Sequence, residues 1–196
     1  ILSNLGKPQD AELSYRKAIK IKPDYASAHY NLANTLKVIG KSQDSLDSYL
    51  KVIEINPEFP NIYDPIIECL KNSNPSNLNK SKLKIILNLM LKRNDISHNE
   101  LFKVFNYLYS NKVISNLEKF NSNFYKIELL IKEKVIIAAL KKIILCNPKL
   151  EEQLTKARRN ICNRIAYTRE SISQSELEFI IALGEQCFLN EYVYSL

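Results

Sequence analysis

The stretch YNLANTLKVIGKSQDSLDSYLKVIEINP, Tyr30–Pro57, carries apolar residues at helical spacing, pauses at Gly40, resumes and stops at a proline. Pro23 lies 34 residues before Pro57 and closes a similar run, AELSYRKAIKIKP. Aligning the two prolines defines a unit over Ala26–Phe59, preceded by the second half of another. In the complete unit a first helix, helix A, carries Leu32, Ala33 and Leu36, and a turn follows at Gly40-Lys41. A second, helix B, carries Ser45, Tyr49, Val52 and Ile55. The earlier half-unit repeats this with Gly6, Ala11, Tyr15, Ala18, Ile21 and Pro23. Small residues at such places let two helices approach closely, an aromatic wedges between them, and proline lacks the amide needed to continue. A fixed period of this length signals stacked units, each burying its apolar face against its neighbours.

These residues resemble the tetratricopeptide repeat. The resemblance implies pairs of helices A and B, with His29 standing where an aromatic is usual and Val52 replacing a small residue. A third unit begins with Tyr63, Ile66, Ile67 and Leu70 in place, but Pro65 sits in its first turns and KNSNPSNLNKS, Lys71–Ser81, is a long polar loop. The next helix, expected over Leu78–Arg93, holds Leu83, Ile86 and Leu87 but has Asn79 where a small residue belongs. It reads as a degenerate, closing repeat.

Beyond it the pattern stays helical. Asp95 or Ser97 can cap a helix with Leu101, Val104, Phe105 and Leu108 on one face, and a short helix around Val113–Phe120 follows. Tyr125–Cys146 reads as one helix, buried around VIIAAL. Asn147-Pro148 breaks it and opens another, with Leu150, Leu154, Ala157, Ile161 and Ile165 on one stripe. Ser173 and Glu176 form a capping box ahead of a last helix, with Leu177, Ile180, Ile181, Gly184 and Phe188 expected inward. No window alternates as a strand would. The expected fold is all-α, a helix-turn-helix solenoid followed by a helical extension. Repeats are placed in residues 1–75 (a half repeat over 1–25, a full one over 26–59, a degenerate one through 60–93), and the extension in 76–196.

Composition bounds the rest. At 196 residues with 45% hydrophobic and 25% charged residues, the chain has a globular balance and ample material for a core. Three glycines and seven prolines favour long helices over many turns. No apolar run approaches the roughly 20 residues needed to span a bilayer. The chain opens at Ile1 without a signal-peptide pattern and ends in NEYVYSL, from which a fragment of a longer protein is expected. Cys69, Cys146, Cys162 and Cys187 are far apart within apolar patterns and form no CxxC, so reduced, cytoplasmic thiols acting as small hydrophobes are expected. With only His29 and His98 besides, neither metal nor cofactor is expected, and both histidines read as structural.

The formal charge of +7 is uneven. Residues 1–75 balance 9 basic against 9 acidic side chains, residues 126–169 hold 11 against 4, and residues 170–196 hold five acids and no base. An anionic partner is one reading. A lysine- and asparagine-rich composition that solvates a surface is the plainer one. Arg158, Arg159, Arg164 and Arg169 gather in TKARRNICNRIAYTR but do not share a helix face, so ion pairs to Glu151, Glu152 or Glu170 are expected rather than nucleic-acid binding. No glycine-rich phosphate loop, nucleophile elbow or HExxH occurs, so no catalysis is expected of this segment.

The side of helix A left free by the repeat pattern carries Ser27, Tyr30, Asn31, Asn34, Lys37 and Val38. An aromatic, two amides and a lysine side by side suit an extended peptide, because asparagine donates to one backbone carbonyl and accepts from one backbone amide. The plain alternative is solvated polar residues in an asparagine-rich chain. YNLANTLK also resembles repeats of the O-linked N-acetylglucosamine transferase array, in which asparagine at the place of Asn31 forms a ladder for peptide. Here Pro65 takes that place in the third unit, so the ladder is not visible. A carboxylate clamp of the chaperone-binding kind is not expected, since Asp64 and Pro65 stand where further bases would be needed. Residues 143–196, with FIIALGEQCFLNEYV foremost, resemble the helical region between repeats and a class I methyltransferase domain in some bacterial proteins. Three functions therefore compete: a protein- or peptide-binding module, the non-catalytic arm of a larger enzyme that positions its substrate, and an architectural or nucleic-acid-associated helical protein. The first is the leading expectation.

Overall fold

The computed structural model describes residues 7–122, 132–167 and 172–194, with side chains through 189. Every element among them is helical. The chain divides into two compact units, residues 1–86 and 87–196.

In the first unit α1 (Pro8–Ile21), α2 (Ala26–Val38) and α3 (Ser42–Ile55) follow the 34-residue period. α2 packs against both α1 and α3. The close approach falls where the small residues are. Ala11, Ala28 and Ala33 are buried, and Ser45 donates its hydroxyl to the Ala33 carbonyl at 2.8 Å. Tyr49 and Val52 are completely enclosed. The turn between α2 and α3 has a specific cause. Gly40 takes φ +78°, letting the Gly40 and Lys41 amides donate back to the Lys37 and Leu36 carbonyls, 3.1 and 2.9 Å. That pairing satisfies orphan carbonyls at the helix end and needs a residue content in the left-handed region. Lys41 also reaches back to Glu12 on α1 at 2.9 Å, and Arg16 pairs with the same carboxylate. Together they hold the Glu12 carboxyl below the usual range, the Lys41 hydrogen bond contributing most. Ile21, expected in the repeated core, is 86% exposed, and Gly6 lies outside the described residues.

Beyond α3 the helices pair less closely than α2 and α3 do. α4 (Tyr63–Asn72) keeps Ile66, Cys69 and Leu70 buried, and Pro65 is accommodated in its first turn, where amides have no intrahelical partner. α5 (Lys80–Leu91) does not close onto α4 as α3 does onto α2. The polar loop is shorter than expected, because a 3₁₀ turn at Pro75–Asn77 is capped by Asn74, whose Oδ1 accepts from the Ser76 amide at 3.1 Å. Asn79 is no failed helix-interior residue. It lies just before α5, and its Oδ1 accepts from the Lys82 amide at 3.0 Å.

The second unit departs further from expectation. The two helices expected around Leu101 and Val113 are one uninterrupted helical run. A 3₁₀ turn at Asn99–Leu101 leads through α6 (Phe102–Phe105) and a π turn (Asn106–Ser110) into α7 (Asn111–Ser122). The wider turn accommodates the change of face without a break, and Leu101, Val104, Phe105, Val113, Leu117 and Phe120 are all buried. Of the helix expected over Tyr125–Cys146, residues 125–131 lie outside the described residues, and α8 covers only Lys134–Lys142. Ile143–Asn147 is not helical. Ile143 and Leu145 are buried while Cys146 is exposed, the alternation of an extended chain. Lys142 donates to the carbonyls of Leu91 and Arg93 at 2.8 and 2.7 Å, capping the end of α5.

α9 (Pro148–Tyr167) starts at proline as expected, with Asn147 Oδ1 accepting from the Leu150 amide at 3.1 Å. Its stripe is buried from Leu150 to Ile161, but Ile165 is 48% exposed. α10 (Gln174–Tyr194) opens on the expected capping box. The Ser173 amide donates to Glu176 at 2.9 Å, and the Glu176 amide donates to Ser173 Oγ at 3.3 Å. Its inward face is not the expected one. Phe179, Ala182, Leu183 and Gln186 are buried, while Leu177, Ile181 and Phe188 are exposed. α10 packs on α8 and α9, and α9 on α7, where Asn121 donates to Gln153 Oε1 at 2.9 Å.

Candidate functional site

The six residues expected to form a binding face, Ser27, Tyr30, Asn31, Asn34, Lys37 and Val38, recur on α2 at steps that keep one side of a helix. Ser27, Asn31 and Val38 are exposed; Tyr30, Asn34 and Lys37 are half-buried. Leu32, Ala33 and Leu36, the residues between them, anchor the opposite side in the core. The local sequence thus holds the row rigidly from behind.

Three of the six are not as free as the repeat pattern suggested. Asn34 Oδ1 accepts a 2.6 Å hydrogen bond from the Tyr49 hydroxyl. Burial pushes the Tyr49 phenol well above the ordinary tyrosine value, with Cys69 nearby adding to the shift, so it remains a donor throughout the usable pH range. Tyr30 packs tilted against Phe59, ring centroids 5.0 Å apart, and meets Tyr49 edge-on at 6.1 Å. Lys37 forms an ion pair with Glu68 of α4, which removes its bare positive charge from the row. Phe59 and Glu68 were not legible as neighbours of this face, since both lie beyond the helix that carries it. The aromatic Phe59, two residues past the closing proline, was the available hint.

What remains open is Asn31. Its side-chain amide has no partner among the described residues, and only its backbone carbonyl is engaged, by Thr35 Oγ1 at 2.8 Å. It stands beside a rigid aromatic platform and a neutralised ion pair. Such a row can pair with a peptide backbone and stack on an aliphatic or aromatic side chain. A cavity of about 380 Å³ lies elsewhere on this unit, lined among others by Arg16, His29, Leu32 and Asp47, and shares none of the six residues. It is an open surface depression rather than an enclosed chamber. His29 Nε2 sits 2.9 Å from the Pro23 carbonyl and His98 Nε2 3.3 Å from that of Met90, so each histidine is tied to backbone.

The arginine cluster resolves into separate ion pairs. Arg158 pairs with Glu151 and Arg164 with Glu176, while Arg159 is exposed and Glu152 pairs with Lys156 instead. Arg169 and Glu170 lie outside the described residues. Of the cysteines only Cys69 behaves as a buried hydrophobe; Cys146 and Cys162 are exposed. Among the described residues no group of three or more His, Cys, Asp or Glu could hold a metal, and no helix is long and apolar enough to cross a membrane.

Comparison with known families agrees with the geometry of the first unit. A TPR repeat model matches residues 4–40, and a tetratricopeptide repeat model matches residues 26–59. No curated protein matches the chain. The second match covers the α2–α3 pair with its turn at Gly40. The resemblance of residues 143–196 to methyltransferase-associated helices has no counterpart in these matches. The same holds for the likeness to the glycosyltransferase array. Together the two matches span residues 4–59.

Proposed function

We propose that residues 1–75 are a peptide-binding module and residues 76–196 a helical extension of it. In this reading an extended peptide lies along Ser27, Tyr30, Asn31, Asn34, Lys37 and Val38, and the segment itself performs no chemistry. The observation that carries it is the unpartnered amide of Asn31 beside the Tyr30–Phe59 platform. Its neighbours Asn34 and Lys37 are held by Tyr49 and Glu68, so the row is arranged before a ligand arrives. Asn31 then contributes backbone affinity with little regard for sequence, and Tyr30 contributes the side-chain preference. The four cysteines are free, which fits the cytoplasmic setting expected from their spacing.

The test is a set of unrelated extended peptides presented to the full chain. Asn31→Ala should weaken every binder by a similar factor, about 3- to 10-fold for one lost hydrogen-bonding side chain. Tyr30→Ala should instead reorder the preferences among peptides. If both variants keep their helicity and bind every peptide unchanged, the face is not the site.

A further inference from the structure

We propose that α10 carries a second docking surface, for an amphipathic partner helix whose apolar seam is flanked by lysine or arginine. Leu177, Ile181, Gly184 and Phe188 follow one another at alternating steps of four and three, the spacing that lets a second helix lie alongside. Leu177, Ile181 and Phe188 are 41%, 45% and 72% exposed, although the helix already has a complete buried face through Phe179, Ala182, Leu183 and Gln186. The seam is therefore additional to what α10 needs in order to fold.

Gly184 supplies an independent observation. A Cβ at this position would meet nothing within 4 Å, so the chain's own packing does not call for glycine there. Glycine inside a helix costs about 1 kcal/mol relative to alanine. Lying in the middle of the seam, it leaves a recess into which a large side chain of an apposed helix fits.

Charge selects the occupant. Residues 170–196 contain five acids and no base. Glu178 is exposed without an ion-pair partner among the described residues, and Glu185 meets Lys141 only at 3.7 Å. A second copy of α10 would bring acid against acid, whereas a helix flanked by bases gains attraction and register.

The experiment uses the full chain and two synthetic three-heptad peptides with the same leucine seam, one flanked by lysine and the other by glutamate. Fluorescence anisotropy should show the lysine peptide binding at least about tenfold tighter, with resonance shifts confined to α10. Ile181→Glu should lose at least about tenfold of that affinity, although it adds negative charge. Mere electrostatic attraction to an acidic patch would tighten binding in that variant and would overturn the proposal. Gly184→Leu, which favours the helix, should also abolish binding by filling the recess. Glu178→Lys combined with Glu185→Lys should reverse the preference toward the glutamate peptide. Equal binding of the two peptides, or none, sinks the idea. So does concentration-dependent dimerisation of the chain alone that Ile181→Glu abolishes, because a second copy would then cover the seam.

Discussion

Asn34 joins the candidate binding row to the repeat's core, because its side-chain oxygen holds the hydroxyl of the fully buried Tyr49. Without Asn34 that desolvated hydroxyl would lose its acceptor at 2.6 Å. Tyr49→Phe removes the donor cleanly and leaves Asn34 half-exposed, where water can replace it. The expected loss is about 1 kcal/mol, seen as a lower urea midpoint at unchanged slope. A neutral result would mean that the bond contributes geometry and no stability. Gly40 is the other residue whose identity is dictated by backbone. Its φ of +78° disfavours any Cβ, yet no neighbour would be struck by one. Gly40→Ala should therefore cost about 1 kcal/mol from backbone strain alone. Gly40→Asn should cost less, since asparagine tolerates the left-handed region.

At the scale of the element, α10 is set at its first turn by Ser173 and Glu176. The Ser173 amide, then its hydroxyl, and then Arg164 hold the Glu176 carboxyl below the ordinary value of 4.5. A carboxyl with a depressed folded value contributes stability that is fully present above its unfolded value. The contribution disappears as pH falls through the folded one. Amide exchange in the first turn of α10 should thus quicken as pH drops below about 4.5, beyond the intrinsic pH dependence of exchange. Glu176→Gln should remove that extra step. Ser173→Ala should weaken the helix start by about 1 kcal/mol at neutral pH. A pH response retained in Glu176→Gln would assign it to another group.

At the scale of the whole molecule, the chain divides into two compact units. Leu36 belongs to the first and Leu140 to the second. Leu36→Ala should cost about 2–5 kcal/mol through the cavity it leaves. Hydrogen exchange should quicken mainly over residues 7–86, with residues 87–196 less affected. Leu140→Ala should show the converse. Equal acceleration of both units by either substitution would mean that they unfold as one.

What the sequence determined by itself was everything that recurs or punctuates: the α1–α3 period, the turn at Gly40, the start at Pro148 and the capping box at Ser173. Each depends on backbone geometry within a few residues, and so can be read locally. The exposure of Ser27, Asn31 and Val38 was legible for the same reason, whereas Tyr30 and Asn34 turned out to be tied to Phe59 and Tyr49. Tertiary structure alone decided three further matters. Periodicity cannot select a face in FIIAL, where apolar residues lie all round. Contact with α8 and α9 chose Phe179 and Leu183, and turned Ile181 outward. A short apolar run such as Ile143–Cys146 satisfies helix and strand patterns equally, and surrounding packing settled it as extended. Glu68 on α4 and Phe59 in the connection after α3 reached the α2 row only through the fold, a pairing that no local spacing encodes.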